Sequence, residues 1–174
     1  MVLLRKRTPQ NTNLQTAAEL GVMKTKAMDW IDTSLNLFKA EKPEHFTDFT
    51  HCEECEEHDQ TLLNATIHTI GLEELGNPGW DPICFCNEIG KMYFTPAFVR
   101  LSLETVNSEF YFGQFLFHLE HNGENNKYFL ACSPAQRSFL AEFIGYMISS
   151  FAPEIERNFY TEEALRAYEI WSHS

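Results

Sequence analysis

The sequence predicts an α+β domain in which several helices pack against a small antiparallel sheet. Three observations carry this expectation. Apolar residues recur every three to four positions over 20–38 and again over 139–151, the period of helices with one buried face. Shorter stretches near 83–94 and 114–131 read as paired segments joined by polar or glycine-containing turns, the pattern of hairpins. The order of these segments is neither a β-α-β alternation nor an all-helical run.

Taken in order, residues 1–13 are polar and basic, contain Pro9 and have no apolar period, which predicts a flexible basic arm. Residues 14–174 then form a single globular domain. Thr16-Ala17-Ala18-Glu19 has the form of a capping box, and Leu20, Met23, Ala27, Trp30, Ile31, Leu35 and Phe38 make the stripe of a helix that Pro43 ends. An acidic helix or knuckle follows around 50–63 and fades near Asn64. A short turn at 72–75 stops at Gly76, and Asn77-Pro78-Gly79-Trp80-Asp81-Pro82 is a stiff loop of turn-forming residues.

Residues 83–86 and 91–94 are expected to be the strands of the first hairpin, with Gly90 supplying an unusual backbone angle in the turn. Thr95-Pro96 has the N-cap and first-turn residues of a new helix. Residues 115–120 alternate like a strand and lead through the polar turn 122–126 to a partner at 128–130. Ser133-Pro134-Ala135-Gln136 is a second capping box, and Phe139, Leu140, Phe143, Ile144, Met147, Ile148 and Phe151 form the strongest amphipathic pattern in the chain. Pro153 breaks that helix, and Thr161 opens a last one carrying Leu165, Tyr168 and Trp171.

The 174 residues are 44% hydrophobic and include fifteen Phe, enough apolar surface for one ordinary core. No apolar run approaches the roughly 18 residues of a membrane span, and the N-terminus lacks the apolar region of a signal peptide. Five cysteines, an odd number clustered as C-x-x-C and C-x-C, suit reduced thiols or ligands better than a disulfide framework. A cytoplasmic protein, not associated with membranes, is expected.

The formal charge of −12 is unevenly spread. Residues 41–59 alone carry one basic and eight acidic side chains. Such a field disfavours nucleic acid, whose binding depends on cations at the phosphates. It favours a cation or a basic protein.

At the centre of this acidic stretch lies His51-Cys52-Glu53-Glu54-Cys55-Glu56-Glu57-His58-Asp59. Zinc takes about four Cys or His ligands, and a C-x-x-C turn lets two thiolates reach one ion. Cys52 and Cys55 meet that requirement, with His58 and Cys84 as the expected remaining ligands and His45, His51 or Cys86 as alternates. A straight helix over 50–63 would instead spread Cys52, Cys55 and His58 around about two turns, and the cysteines would be small buried hydrophobes. Redox use of the pair is disfavoured, because the flanking glutamates raise thiol pKa values. Cys132, next to the Ser133 cap, is the better-placed nucleophile, with His118 or His121 as base.

Tyr93-Phe94-Thr95-Pro96-Ala97-Phe98, Leu101-Ser102-Leu103-Glu104, Phe117-His118-Leu119, Ser133-Pro134-Ala135-Gln136-Arg137 and Phe143-Ile144-Gly145-Tyr146 together resemble a family of small uncharacterised bacterial proteins, over roughly residues 80–150. The resemblance implies a bacterial origin and an α+β fold. It implies no activity.

Neither a phosphate-binding glycine loop nor a G-x-S-x-G elbow occurs, and no catalytic residue is assigned. The expected function is that of a non-catalytic acidic binding protein of the immunity or inhibitor type. Glu53, Glu54, Glu56, Glu57 and Asp59 would cover a basic protein partner, and zinc on Cys52, Cys55, His58 and Cys84 would stabilise the segment. The alternative is a zinc hydrolase in which three of those four ligands hold the ion and a neighbouring glutamate is the base.

Overall fold

The computed structural model describes residues 12–173, with side chains from residue 21 onward except those of 23 and 24. Most of the expected basic arm lies outside these residues, and its last two, Thr12 and Asn13, belong to the first helix. Helices α1 (Thr12–Leu37), α2 (Glu53–Asn64), α3 (Leu72–Leu75), α4 (Glu88–Glu104), α5 (Phe112–Glu120), α6 (Lys127–Ala131), α7 (Pro134–Ser150), α8 (Ala152–Arg157) and α9 (Thr161–Ser172) follow one another, with single 3₁₀ turns at Pro78–Trp80, Pro82–Cys84 and Gly123–Asn125. Among the described residues there is no strand. The fold is all-helical, and the expected α+β class with its antiparallel sheet is corrected accordingly.

Both expected hairpins are helical for identifiable reasons. In the first, the Asn87 side chain accepts the Gly90 N–H at 2.8 Å, which caps α4 and starts a helix where a turn was expected. Gly90 has no left-handed angle. Its value is space: a Cβ there would lie 2.4 Å from Cys86 Sγ and 2.8 Å from the Phe46 ring. The helix then runs through Thr95 and Pro96, which were expected to begin it. Pro96 has no N–H for the Met92 carbonyl. Burial of Phe94, Ala97, Phe98 and Leu101 on one face outweighs that loss.

In the second, the alternation at 115–120 concealed a helical stripe. Phe112, Phe115, Leu116 and Leu119, spaced as i, i+3, i+4 and i+7, are fully buried, whereas Phe117 is exposed. The polar turn is real but joins two helices. Asn122 (φ 65°) and Gly123 (φ 56°) take its left-handed positions. Asn126 binds both ends of the joint: its carbonyl oxygen accepts the Tyr128 N–H at 2.9 Å, and its amide donates to the His118 and Leu119 carbonyls at 2.8 and 3.2 Å.

The expected capping box at Ser133 forms, with Ser133 N–H donating to Gln136 Oε1 (2.8 Å) and Gln136 N–H to Ser133 Oγ (3.3 Å). Gln136 also donates to the Leu37 carbonyl at the end of α1, so one side chain joins two helix termini. Trp30 of α1 meets Phe139 and Phe143 of α7 edge-on at 5.5 and 5.6 Å. Pro153 ends the α7 run and occupies the first turn of α8. Helix α9 packs on α7 and α5, and Trp171, fully buried, donates its indole N–H to the Leu119 carbonyl at 2.9 Å. No helix among the described residues is long and apolar enough to cross a membrane.

Candidate metal centre

The segment before α2 is held in place by a buried acid. Asp59, with no exposed surface, accepts the Phe46 and Thr47 N–H groups at 2.6 and 3.0 Å on Oδ1 and His45 Nδ1 at 2.7 Å on Oδ2. Phe46, also fully buried, lies against Tyr93 and Phe94 of α4. Burial raises the Asp59 pKa, but His45 and the two amides together outweigh it and hold the carboxyl below its ordinary value. Thr47 Oγ1 donates to the Cys55 carbonyl at 2.8 Å, and His51 N–H to the Asp48 carbonyl at 3.0 Å. The chain therefore reaches the start of α2 in a fixed path.

Cys52 is the N-cap of α2, with extended backbone (φ −163°, ψ 167°), and Cys55 lies in the first turn. This break at the cap swings the Cys52 sulfur over the helix start to within 3.3 Å of Cys55 Sγ. His51 Nδ1 is 3.6 Å from Cys55 Sγ. One ligand atom from each of His51, Cys52 and Cys55 lies within 4.8 Å of the others, a spacing at which the three could hold one ion. His51 and Cys52 are exposed and Cys55 is buried.

The electrostatics divide the two thiols. The Cys55 backbone amide at the helix start, then the Cys55 thiol and His51, lower the Cys52 pKa. Hydrogen bonding to Cys52 and burial raise that of Cys55, with Asp48 and Glu54 adding to the shift. His51 is raised in turn by its contact with Cys52. The expectation that the glutamates would suppress thiolate formation throughout is thus corrected for Cys52, because the free amides of the helix start act on it at shorter range.

The other expected ligands lie elsewhere. His58 turns inward, 1% exposed, with its ring stacked on Phe85 at 4.4 Å and tilted against Trp80 at 4.7 Å. Its ring nitrogens make no hydrogen bond, and Glu54 approaches Nε2 at 3.8 Å. Glu53, Glu54, Glu56 and Glu57 are exposed around the ligand group, whereas Asp59 faces the core. Cys86 is buried beside Gly90, and burial drives its thiol pKa well up. Cys132 is buried too, which pushes its thiol up to about 12 and removes the basis for its reading as a nucleophile.

Cys84 belongs to a second group, with Asp81 and His118, whose ligand atoms are likewise within 4.8 Å of one another. His118 Nε2 is 2.8 Å from Asp81 Oδ2, and both residues are buried. Burial lowers the His118 pKa more than Asp81 raises it. Sequence reasoning placed Asp81 in a loop and His118 on a strand, 37 positions apart, with no spacing to connect them. The usable signal was a lone histidine in the apolar run 115–119, which requires a buried partner.

Family models, curated proteins and solved structures were each searched, and none matches the chain.

Proposed function

We propose that the chain is a metal-binding protein in which His51, Cys52 and Cys55 hold zinc on an acidic surface. The observation that carries this reading is the convergence of two sulfurs and an imidazole nitrogen at 3.3 and 3.6 Å. Sulfur and imidazole donors suit zinc, as carboxylate and carbonyl donors suit calcium or magnesium. A lowered Cys52 pKa favours the thiolate that the ion requires. The exposed Glu53, Glu54, Glu56 and Glu57 concentrate cations around the site. Three ligands leave a fourth position for water or for a group from another molecule. Reduced, ligand-ready cysteines suit the cytoplasm.

The test is zinc titration of reduced protein with a competing chelator, followed by metal analysis after gel filtration. The native chain should retain about one equivalent through this site. C52S and C55S should each lose more affinity than the roughly 10–100-fold that removal of an outer-shell partner costs. Undiminished zinc binding in C52S/C55S, or no binding in the native chain, would overturn the reading.

A second reading adds a basic protein partner on the same acidic face, with the zinc module as its rigid support. The observation favouring it is that Glu53, Glu54, Glu56 and Glu57 are all solvent-exposed within one helix start. Capture of a partner from the native host should be lost when these four are changed to Lys. Unchanged capture counts against it. The hydrolytic alternative draws on the same glutamates as base but relies on His58 or Cys84 as a third ligand, and neither shares the group formed by Cys52 and Cys55.

A further inference from the structure

We propose that Asp81, Cys84 and His118 form a second metal site, for a borderline divalent cation of the zinc class, opening on a pocket between the 78–84 loop, α5 and the start of α9. The inference is independent of the zinc reading of residues 51–55. The Asp81 carboxylate is held on both oxygens. Asp81 Oδ1 accepts the Ile83 N–H at 2.9 Å, which caps the 3₁₀ turn carrying Cys84. Oδ2 receives His118 Nε2 at 2.8 Å and Gln114 Nε2 at 3.2 Å. Gln114 also donates to the Leu75 carbonyl at 2.7 Å, so α5 is tied to the end of α3 as well.

A buried Asp–His pair of this kind, taken alone, is a structural pin between a loop and a helix. Two further features exceed that role. The Cys84 sulfur lies within 4.8 Å of the ligand atoms of both partners, which sets oxygen, nitrogen and sulfur donors around one point. Asp81 and Cys84 also line a cavity of ≈ 350 Å³, together with Pro78, Gln114, Phe117 and Glu120. A metal on these three ligands would have its remaining position beside this cavity, where a small molecule can bind. Gln114 and the Ile83 amide already supply the outer hydrogen bonds that orient such ligands. On cation binding, the Cys84 thiol proton is released to solvent and its sulfur becomes a ligand, while neutral His118 shifts its ring proton from Nε2 to Nδ1 and exchanges its hydrogen bond to Asp81 for the metal.

Cobalt(II) separates this site from the first, because a sulfur-to-cobalt charge-transfer band reports thiolate ligation directly. In C52S/C55S protein, which lacks the first pair of thiols, cobalt should still bind at about one equivalent with such a band. The band should vanish on adding C84S, an exposed and conservative change, and weaken in H118A. Far-UV circular dichroism of each variant verifies the fold. Absence of a band in folded C52S/C55S, or a band that survives C84S, would overturn the proposal. Failure of the first site would read differently, as identical cobalt spectra for the native chain and C52S/C55S.

Discussion

At Cys52 the backbone decides the chemistry of a side chain. An extended residue at the helix cap is close to the free amides of the first turn, whereas Cys55 three residues on is buried and hydrogen-bonded to its neighbour. Identical thiols therefore differ in acidity, Cys52 shifted down and Cys55 up. Asp59 shows the complementary case of a carboxylate sequestered from solvent. Its native pKa lies below the ordinary carboxylate value, so its ionised form stabilises the fold at neutral pH. That contribution is present above the unfolded value of about 3.9 and is lost as pH falls through the lower native value. In D59N the Phe46 and Thr47 amides lose their charged acceptor, and destabilisation on the order of 2 kcal/mol at pH 7 is expected. Denaturant titrations should show the gap between native and D59N protein closing as pH is lowered below about 4. A gap that widens in acid would contradict the sign argued for Asp59.

Among the elements, α4 best separates local preference from packing. Its start was legible in principle, since Asn87 followed by Glu88 is a good cap and first turn, but Gly90 read as a turn residue and Thr95-Pro96 as a later helix start. Neither residue is there for the reason its local chemistry suggested. Gly90 leaves room for Cys86 and Phe46, and Pro96 sits within a run of completely buried residues. Intrinsic propensity favours Ala over Gly in a helix by about 1 kcal/mol. G90A should nevertheless be destabilising, by roughly 1–3 kcal/mol, because the added methyl overlaps two buried side chains. A urea midpoint above that of the native chain would show that space at this position is not limiting. Helix α5 failed differently: over the six residues Phe115-Leu116-Phe117-His118-Leu119-Glu120 a period of two and a period of 3.6 match almost equally well. Phe112, three positions earlier, completes the helical stripe.

At the scale of the molecule, α9 closes the core through Trp171. This side chain is fully buried, its ring meets Tyr128 and Phe129 at 5.5 and 5.1 Å, and its N–H satisfies a carbonyl at the end of α5. W171A should cost about 3–5 kcal/mol, read as a lower denaturation midpoint with the helical circular dichroism retained below it. An unchanged midpoint would mean that α9 is dispensable to the core. Several things were determined by the sequence alone: that helices lie at α1, α7 and α9, the Ser133 capping box, the acidic field over 41–59 and the C-x-x-C pair within it, although α1 starts at Thr12 ahead of the expected Thr16 cap and α9 buries Ala164, Ala167 and Trp171 while Leu165 and Tyr168 are exposed. All of these depend on residues near one another in the chain, where period, caps and charge act directly. The all-helical class, the replacement of His58 by His51 beside the two cysteines, and the grouping of Asp81, Cys84 and His118 were decided only by tertiary structure. Each depends on contacts between distant segments: burial of α4 overrides its proline, the aromatic rings of Trp80 and Phe85 draw His58 inward, and α5 carries His118 to Asp81.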